Sequence, residues 1–441
     1  MNFRHIHIVG IAGVGTSAIA TWAKEAGILV TGSDASTAHG PAKEQLEEAG
    51  ITWKTFAPEN IQGKPDLVVV TNDHGGIDGN PEAIAAKKKG LKVVTYGKAL
   101  GMIVQGKKLL AVTGTHGKTT TAAMLTLILK EAGLDPSWIV GSRTPDLGPN
   151  GHAGKGEYFV AEADEYQDKL PHGRPKFLFL QPYDTVVTSI EFDHPDTFKD
   201  VQAVFSAFKK LVKQMRTDGI LVVNADYPLA ARLIKTAQSR GIRFASYGAK
   251  KLWPNLQLQV PGLMNKLNAT AAARIAHEVG VPQEAIRRAL ATFHGVARRF
   301  EKKGETDGVT YLDDYAHHPT AVGLTIRAAR EQYPNKRIVT IFEPHTFSRT
   351  KALKRDFAEV LALADASIIT DIYPSREKPE RPNEKSLLSQ EVADMKKEKI
   401  EHISGDLPTV AERVKNIVKP GDVVITMGAG TIYKLHDLLH G

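Results

Sequence analysis

Residues 109–133 read LLAVTGTHGKTTTAAMLTLILKEAG, an apolar β-rich run passing through a glycine turn into a helical pattern. A strand feeding a helix in this way calls for a parallel neighbour and a helix-covered sheet, so it commits the chain to an α/β architecture. The turn itself, GTHGKTT at 114–120, carries chemistry. Backbone N–H groups of Gly114, Thr115, His116 and Gly117 converge where phosphate oxygens bind, and the helix start adds positive potential. Lys118 reaches β- and γ-phosphates, while Thr119, followed by Thr120, is placed to ligate Mg²⁺. The full GxxxxGK[ST] pattern is not met, because position 112 is Val, and a plain helix start is the alternative reading.

The same rhythm extends along the chain. HIHIVG, LVTGSD and DLVVVTN alternate with helical stretches in the first hundred residues, including one near Ser17 to Ala26. EYFVAEAD, DTVVTSI, GILVVN and RFASYG follow LLAVTG. Helix-forming sequence from Leu263 to Phe293 is broken at Gly280 and Pro282, natural points for a helix stop and a first-turn proline. VTYLDDY, RIVTIFE, ASIITDI and DVVITM form a third unit. At 441 residues the chain exceeds one core, and three α/β domains with edges near 107 and 295 are expected. SREKPERPNEK, 375–385, reads as a mobile surface loop or a solvated connector.

Composition excludes several classes. There is no cysteine, hence no disulfide or thiol chemistry, and the net charge of +8 is scattered rather than gathered, which suits anionic small molecules better than nucleic acid. No stretch approaches the ~20 apolar residues of a membrane span, and the opening residues lack a secretory pattern, so a cytoplasmic protein is expected.

Other positions point to chemistry. Gly10, Gly13 and Gly15 form GxxGxG after HIHIV, and Ser33 and Asp34 end the next run. Such a loop holds a dinucleotide pyrophosphate or a UDP group equally well, which keeps a nicotinamide-dependent oxidoreductase among the alternatives. VAEADEY brings Glu162, Asp164 and Glu165, and IEFDHPD brings Asp193, His194 and Asp196, a set able to ligate metal. Arg298 and Arg299 in FHGVARRFE sit at the last domain edge, where a hinge carries a guanidinium onto phosphates after closure. A surface salt bridge is the alternative.

These strings resemble the Mur ligase family over nearly the whole chain. GTHGKTT matches its TGTxGKTT signature, EADE and DHPD its metal strings, LMNKLNATAAA its HNxxNA stretch, and YLDDYAHHPTAV its DDYAHHPTE string. FEPHTFSRTKAL and TDIYPSRE match further members. The resemblance implies an N-terminal Rossmann-like UDP-binding domain (1–107), a central P-loop ATPase domain (108–294) and a C-terminal Rossmann-like amino-acid-binding domain (295–441). It implies an ATP- and Mg²⁺-dependent ligase that adds L-alanine to UDP-N-acetylmuramate through an acyl phosphate, in peptidoglycan precursor synthesis.

Residue by residue, Glu162 and His194 fall where the family places metal ligands, and Asn265 and Asn268 where amides face adenine. The first glycine loop grips uridine diphosphate, and Asn72 and Asn80 line the sugar side. Asp313 and Asp314 are expected to accept from ribose hydroxyls, and His317 and His318 to face the incoming amine. His345, Arg349 and Arg376 are expected at the amino-acid site. Adjacent histidines also suggest zinc, without a matching third ligand cluster nearby. Departures are Ser189 for Asn, Met264 for His, Ala321 for Glu, and a shortened connection between Tyr247 and Pro261. A tripeptide-adding ligase acting on the same UDP-sugar, and a non-catalytic nucleotide-binding relative, remain as rival readings.

Overall fold

The computed structural model describes residues 3–35, 41–168, 173–375 and 377–439. Its first sheet holds β1 (His5–Val9), β2 (Leu29–Asp34), β3 (Lys54–Thr55), β4 (Leu67–Val70) and β5 (Val93–Thr95), all parallel, in the order β3-β2-β1-β4-β5. Leu67–Val70 is buried at every position, as a strand covered on both faces requires.

The second sheet is built from β6 (Lys108–Thr113), β7 (Ser137–Ile139), β8 (Gly151–His152) and β9 (Tyr158–Glu162). A separate two-stranded ribbon of β10 (Gln167–Asp168) and β11 (Arg174–Pro175) intervenes before β12 (Asp184–Val187), β13 (Ile220–Asn224) and β14 (Arg243–Tyr247) complete it, in the order β14-β13-β12-β6-β9-β7-β8. Only β7 and β8 pair antiparallel within this sheet.

The third sheet, β15 (Glu301–Thr306), β16 (Val309–Asp314), β17 (Ile338–Phe342), β18 (Ala366–Thr370), β19 (Ile400–Ile403) and β20 (Val423–Met427), runs β15-β16-β20-β17-β18-β19. Its one antiparallel pair is β15 with β16. β15, EKKGET, is a polar edge whose lysines discourage further strand pairing.

In the first two sheets the chain leaves the central strand in opposite directions on its two sides. β1 lies between β2 and β4, and β6 lies between β12 and β9. The crevice beyond the carboxyl end of such a strand is where α/β sheets bind ligands. The glycine loops at 10–15 and 114–120 follow β1 and β6.

The chain packs as two compact bodies. The first comprises Met1–Glu191, Val201–Leu258 and Leu267–His294, and the second Phe192–Asp200, Gln259–Lys266 and Gly295–Gly441. The first two sheets share a body for local reasons. Gly151 in β8 lies against helix Val14–Glu25 so closely that a Cβ would stand 2.0 Å from the Ala18 carbonyl. Beside it Asn150 and Gln45 exchange amide hydrogen bonds at 2.5 and 3.0 Å, and Asn150 Nδ2 donates to Val14 O at 3.0 Å.

The expected helical pair is Leu263–Glu278 and Gln283–Ala291, with Gly280 at φ +91° ending the first. Pro282 stands at the N-cap instead of in the first turn. Residues 248–262 carry no strand, which leaves β14 as the sheet's edge, as the shortened connection implied. Within the polar stretch at 375–385, Glu377 Oε2 accepts from Ser348 N at 2.9 Å and helix Glu384–Asp394 begins.

Asn80, expected on the sugar side, instead caps helix Pro81–Lys88. It is 1% exposed and its Oδ1 accepts from Glu82 N at 2.9 Å. Replacing it with Ala should lower stability to urea by about 1 kcal/mol, the usual worth of such a cap, while leaving UDP-sugar affinity unchanged.

Candidate functional site

The first glycine loop is shaped by close approach. Gly10 has φ +79° and a Cβ there would lie 2.5 Å from Thr71 Oγ1, while at Gly15 it would lie 2.7 Å from the Tyr96 ring. Gly13 is the N-cap of helix Val14–Glu25 and offers no side chain, so the first-turn N–H groups remain for an anion. Asp34 braces the loop: its Oδ2 accepts from Ala12 N and its Oδ1 from Ala35 N, both at 2.7 Å. Both carboxylate oxygens thus accept hydrogen bonds from the loop backbone.

Ser33 is likewise corrected. It is fully buried and donates to Glu82 Oε2 at 2.6 Å. Burial alone would raise the Glu82 pKa, but hydrogen bonds from His7, Ser33, Ala57 and Asn60 hold it below its ordinary value. Asn72 Nδ2 donates to Gln167 O at 2.8 Å, tying the end of β4 to β10.

The nucleotide loop is equally constrained. Gly114, at φ +134°, leaves no room for a Cβ, which would stand 2.1 Å from Thr188 Oγ1. Gly117, at φ +79°, would meet Asn268 Oδ1 at 2.4 Å. Ser189, the departure from Asn, accepts from His116 N through its hydroxyl at 2.9 Å, and its carbonyl accepts from Thr115 N at 3.1 Å. His116 pairs with Glu191 at 2.8 Å, and Thr115 Oγ1 accepts from Glu191 N at 3.0 Å. The loop is therefore built before any ligand arrives. Thr120 is buried in the first turn of helix Lys118–Glu131.

Lys118 Nζ donates to Gly114 O at 2.7 Å and to Glu165 Oε2 at 2.9 Å, with Asp164 at 4.0 Å. Burial works to strip its proton, but Glu165, Asp164 and Glu162 outweigh that and raise its pKa above the ordinary lysine value. Glu165, 2% exposed, is the partner that motif reading did not single out from its neighbours.

Thr119 Oγ1 donates to Glu162 Oε2 at 2.9 Å. Gly141 opens the space beside them: a Cβ there would lie 2.3 Å from Glu162 Oε2 and 2.8 Å from Thr119 Oγ1. Hard oxygen donors around a pocket that a methyl group would fill suit Mg²⁺. Gly141 is a residue that sequence reasoning missed, and its only signal is a glycine two residues beyond β7.

The two asparagines of the adenine string take different roles. Asn268 is buried, accepts from Thr121 Oγ1 at 3.2 Å and backs the loop at Gly117. Asn265 turns to its own helix start, donating to Pro261 O at 2.7 Å.

In the second body the expected ribose acceptors are taken. Asp313 accepts from Arg298 Nε at 3.1 Å and Thr426 Oγ1 at 2.8 Å, and Asp314 from Phe300 N and Ala316 N at 2.8 and 2.7 Å. Burial raises both carboxyls, Asp314 to about 6. Arg298 also donates to Gly428 O at 2.7 Å and lies over the rings of Tyr315 and Tyr433. Arg299 lies over the Tyr315 ring, 4.9 Å from its centre.

His318 caps helix Pro319–Gln332: its Nδ1 accepts from Thr320 N at 3.3 Å and its Nε2 donates to Phe192 O at 3.2 Å. Both nitrogens are thus hydrogen-bonded within the protein. Ala321 packs on the adjacent apolar core.

The remaining groups do come together. Arg349, 2% exposed, donates from Nε to Asp193 Oδ1 at 2.8 Å and from Nη1 to His345 O at 3.0 Å. His345 stacks on Tyr373, centroids 5.7 Å apart, and faces His317 at 5.9 Å. Burial would raise Asp193, but Arg349 and the neighbouring histidines hold its pKa well below the carboxylate range. Burial and Arg349 push His317 well below the usual histidine value. Its Nδ1 donates to Tyr315 O at 2.9 Å, so Nε2 is the basic nitrogen. His194, at φ +55°, sits beside Asp193, whose Oδ1 accepts its N–H at 2.7 Å. Arg376 lies outside the described residues.

The phosphate loop, its Thr–Glu pair and three parallel-type sheets define an ATP-using α/β ligase class. The chain belongs to the Mur ligase family, matching its "Mur ligase family, catalytic domain" at residues 5–108, its middle domain at 112–259 and its glutamate ligase domain at 298–430. It is 36% identical to the UDP-N-acetylmuramate–L-alanine ligase of Solidesulfovibrio magneticus, covering 98% of this chain and 96% of the relative. The enzyme of that name from Caldanaerobacter subterraneus subsp. tengcongensis is also 36% identical, with 99% and 97% covered. Among solved structures, the UDP-N-acetylmuramate-alanine ligase of Thermotoga maritima superposes with a TM-score of 0.79 at 26% identity, over 99% of this chain and 98% of that one. A murein peptide ligase from Psychrobacter arcticus gives 0.72 at 25%, with 99% and 98% covered.

Arg349→Ala should leave Asp193 buried without its cation and destabilise the chain by about 3–5 kcal/mol. Since the Asp193 pKa is depressed in the folded state, its contribution is present above the unfolded value near 4 and is lost as pH falls. Urea unfolding followed by circular dichroism should therefore show the gap between wild type and variant narrowing below about pH 4.

Proposed function

We propose that this chain is a Mg²⁺- and ATP-dependent ligase joining L-alanine to the lactyl carboxylate of UDP-N-acetylmuramate. A carboxylate oxygen attacks the γ-phosphorus, ADP leaves, and the amine then attacks the acyl carbon to expel phosphate and lose a proton. The supporting observation is the preformed GTHGKTT loop with Lys118 held charged beside the Thr119–Glu162 pair. Curated relatives of full length named for this reaction support the choice of substrates.

Within this reading Lys118 holds the phosphates, and Thr119, Glu162 and His194 are the residues that would hold Mg²⁺, whose charge would neutralise that of the phosphates. Gly10, Gly13 and Gly15 receive the diphosphate. Arg299 stabilises transferred charge, and Arg349 and His345 serve the amino acid. His317, kept neutral, accepts the amine's proton through Nε2. Three domains, 1–107, 108–294 and 295–441, divide these tasks, each containing one of the large sheets. No helix among the described residues is long and apolar enough to cross a membrane, and we place the reaction in the cytoplasm, where its nucleotide substrates are made.

Phosphate release with ATP, Mg²⁺, UDP-N-acetylmuramate and L-alanine, omitting each in turn, tests the reading. Wild type should require all four, and Lys118→Ala should lose on the order of a thousandfold or more. Equal product formation with L-alanine and with a tripeptide would overturn the choice of amine. His317→Asn should lower kcat far more than it raises KM for L-alanine, and wild-type activity should persist below the pH at which an ordinary histidine protonates, about 6.5.

A further inference from the structure

The first body carries a second ammonium on the same group of carboxylates. Lys176 Nζ donates to Asp164 Oδ2 at 2.9 Å, and Asp164 Oδ1 stands 4.0 Å from Lys118 Nζ, so one carboxylate lies between two lysines. The backbone fixes this placement: Lys176 N donates to Tyr166 O and Phe177 N to Asp164 O, both at 3.0 Å. The ammonium rests 5.3 Å from the Tyr166 ring centre and 5.7 Å from that of Tyr96. Tyr96 is the side chain against which Gly15 packs. Burial, then the charges of Glu162, Asp164 and Asp168, raise the Tyr96 pKa and keep it a neutral phenol.

Lys176 thus stands between the two glycine loops. One neighbour, Tyr96, abuts the loop after β1, and the other, Asp164, reaches the lysine of the loop after β6. A molecule with its diphosphate at Gly13 and an acid awaiting phosphorylation at Lys118 passes this ammonium. The side chains of Lys176 and Asp164 remain 21% and 33% exposed, so a ligand reaches both. Exchanging one carboxylate for another on the same lysine keeps its charge paired throughout.

We propose that Lys176 is a specificity-determining residue that recognises the free carboxylate of the sugar nucleotide, with Asp164 as the counter-ion it leaves when that carboxylate arrives. The inference rests on the ligase reading above. It predicts that the lysine matters only to a ligand that carries the acid.

The experiment compares UDP-N-acetylmuramate with UDP-N-acetylglucosamine, the same nucleotide sugar without the lactyl acid, by calorimetric titration in saturating Mg²⁺ and a non-hydrolysable ATP analogue. Lys176→Met should weaken the acid-bearing ligand roughly tenfold or more, the worth of a charge-assisted hydrogen bond, and change the other less than twofold. Lys176→Arg should restore most of the loss. Equal weakening of both ligands, or none for the acid, overturns the inference. Both ligands are read on one variant, so a general loss of folding cannot produce the difference. Phosphate release by wild type judges the ligase reading separately.

Discussion

An ammonium enclosed by protein survives only among carboxylates, and the active end of this chain is organised around that requirement. Lys118 is stranded at a helix start where phosphate charge belongs, and Glu165 supplies the missing anion from the end of β9. Because β9 pairs directly with β6, the strand that launches the loop also sits next to the strand that delivers the counter-charge. The sheet order, more than any single contact, sets the distance between lysine and carboxylate.

The same economy explains why so many motif residues serve the scaffold. Asp34, Ser33, Asp313, Asp314 and His318 all sit where a ligand contact was reasonable, and all are satisfied internally. A loop held within tenths of an ångström needs its polar neighbours tied down, because each unpaired buried polar atom carries a desolvation penalty of about 1–3 kcal/mol. Arg298 shows the point: its guanidinium joins Asp313, the Gly428 carbonyl and two tyrosine rings, fixing the strand that ends in Asp313 and Asp314.

What was legible in the sequence follows from range. β1, β6, β16, β17, β18 and β20 are apolar runs whose burial is dictated locally, and the glycine loops carry their spacing within a few residues. β3, β8 and β15 are too short or too polar to announce themselves, since their hydrogen bonds come from neighbours distant in the chain. The same holds at the site. Lys118, Thr119 and Glu162 were readable from their strings. The Ser33–Glu82, His318–Phe192 and Arg349–Asp193 pairings span 49, 126 and 156 residues, and no local pattern reveals which polar group is already spent.

Those long-range pairings sort the charged residues by their partners' mobility. Asp193 and Arg349 are enclosed together, so neither exchanges without leaving a bare charge in a dry site. Asp164 and Lys176 are half-buried, so water reaches both partners of that pair. A ligase needs both kinds: a rigid pair to hold the shape of a pocket, and a labile pair through which a charged substrate enters. Acid activation adds a constraint of its own, because a carboxylate approaching ATP meets phosphate charge of the same sign. Cations that can change partners along its path lower that repulsion without being consumed by permanent counter-ions, and a lysine paired with a half-buried aspartate meets that condition.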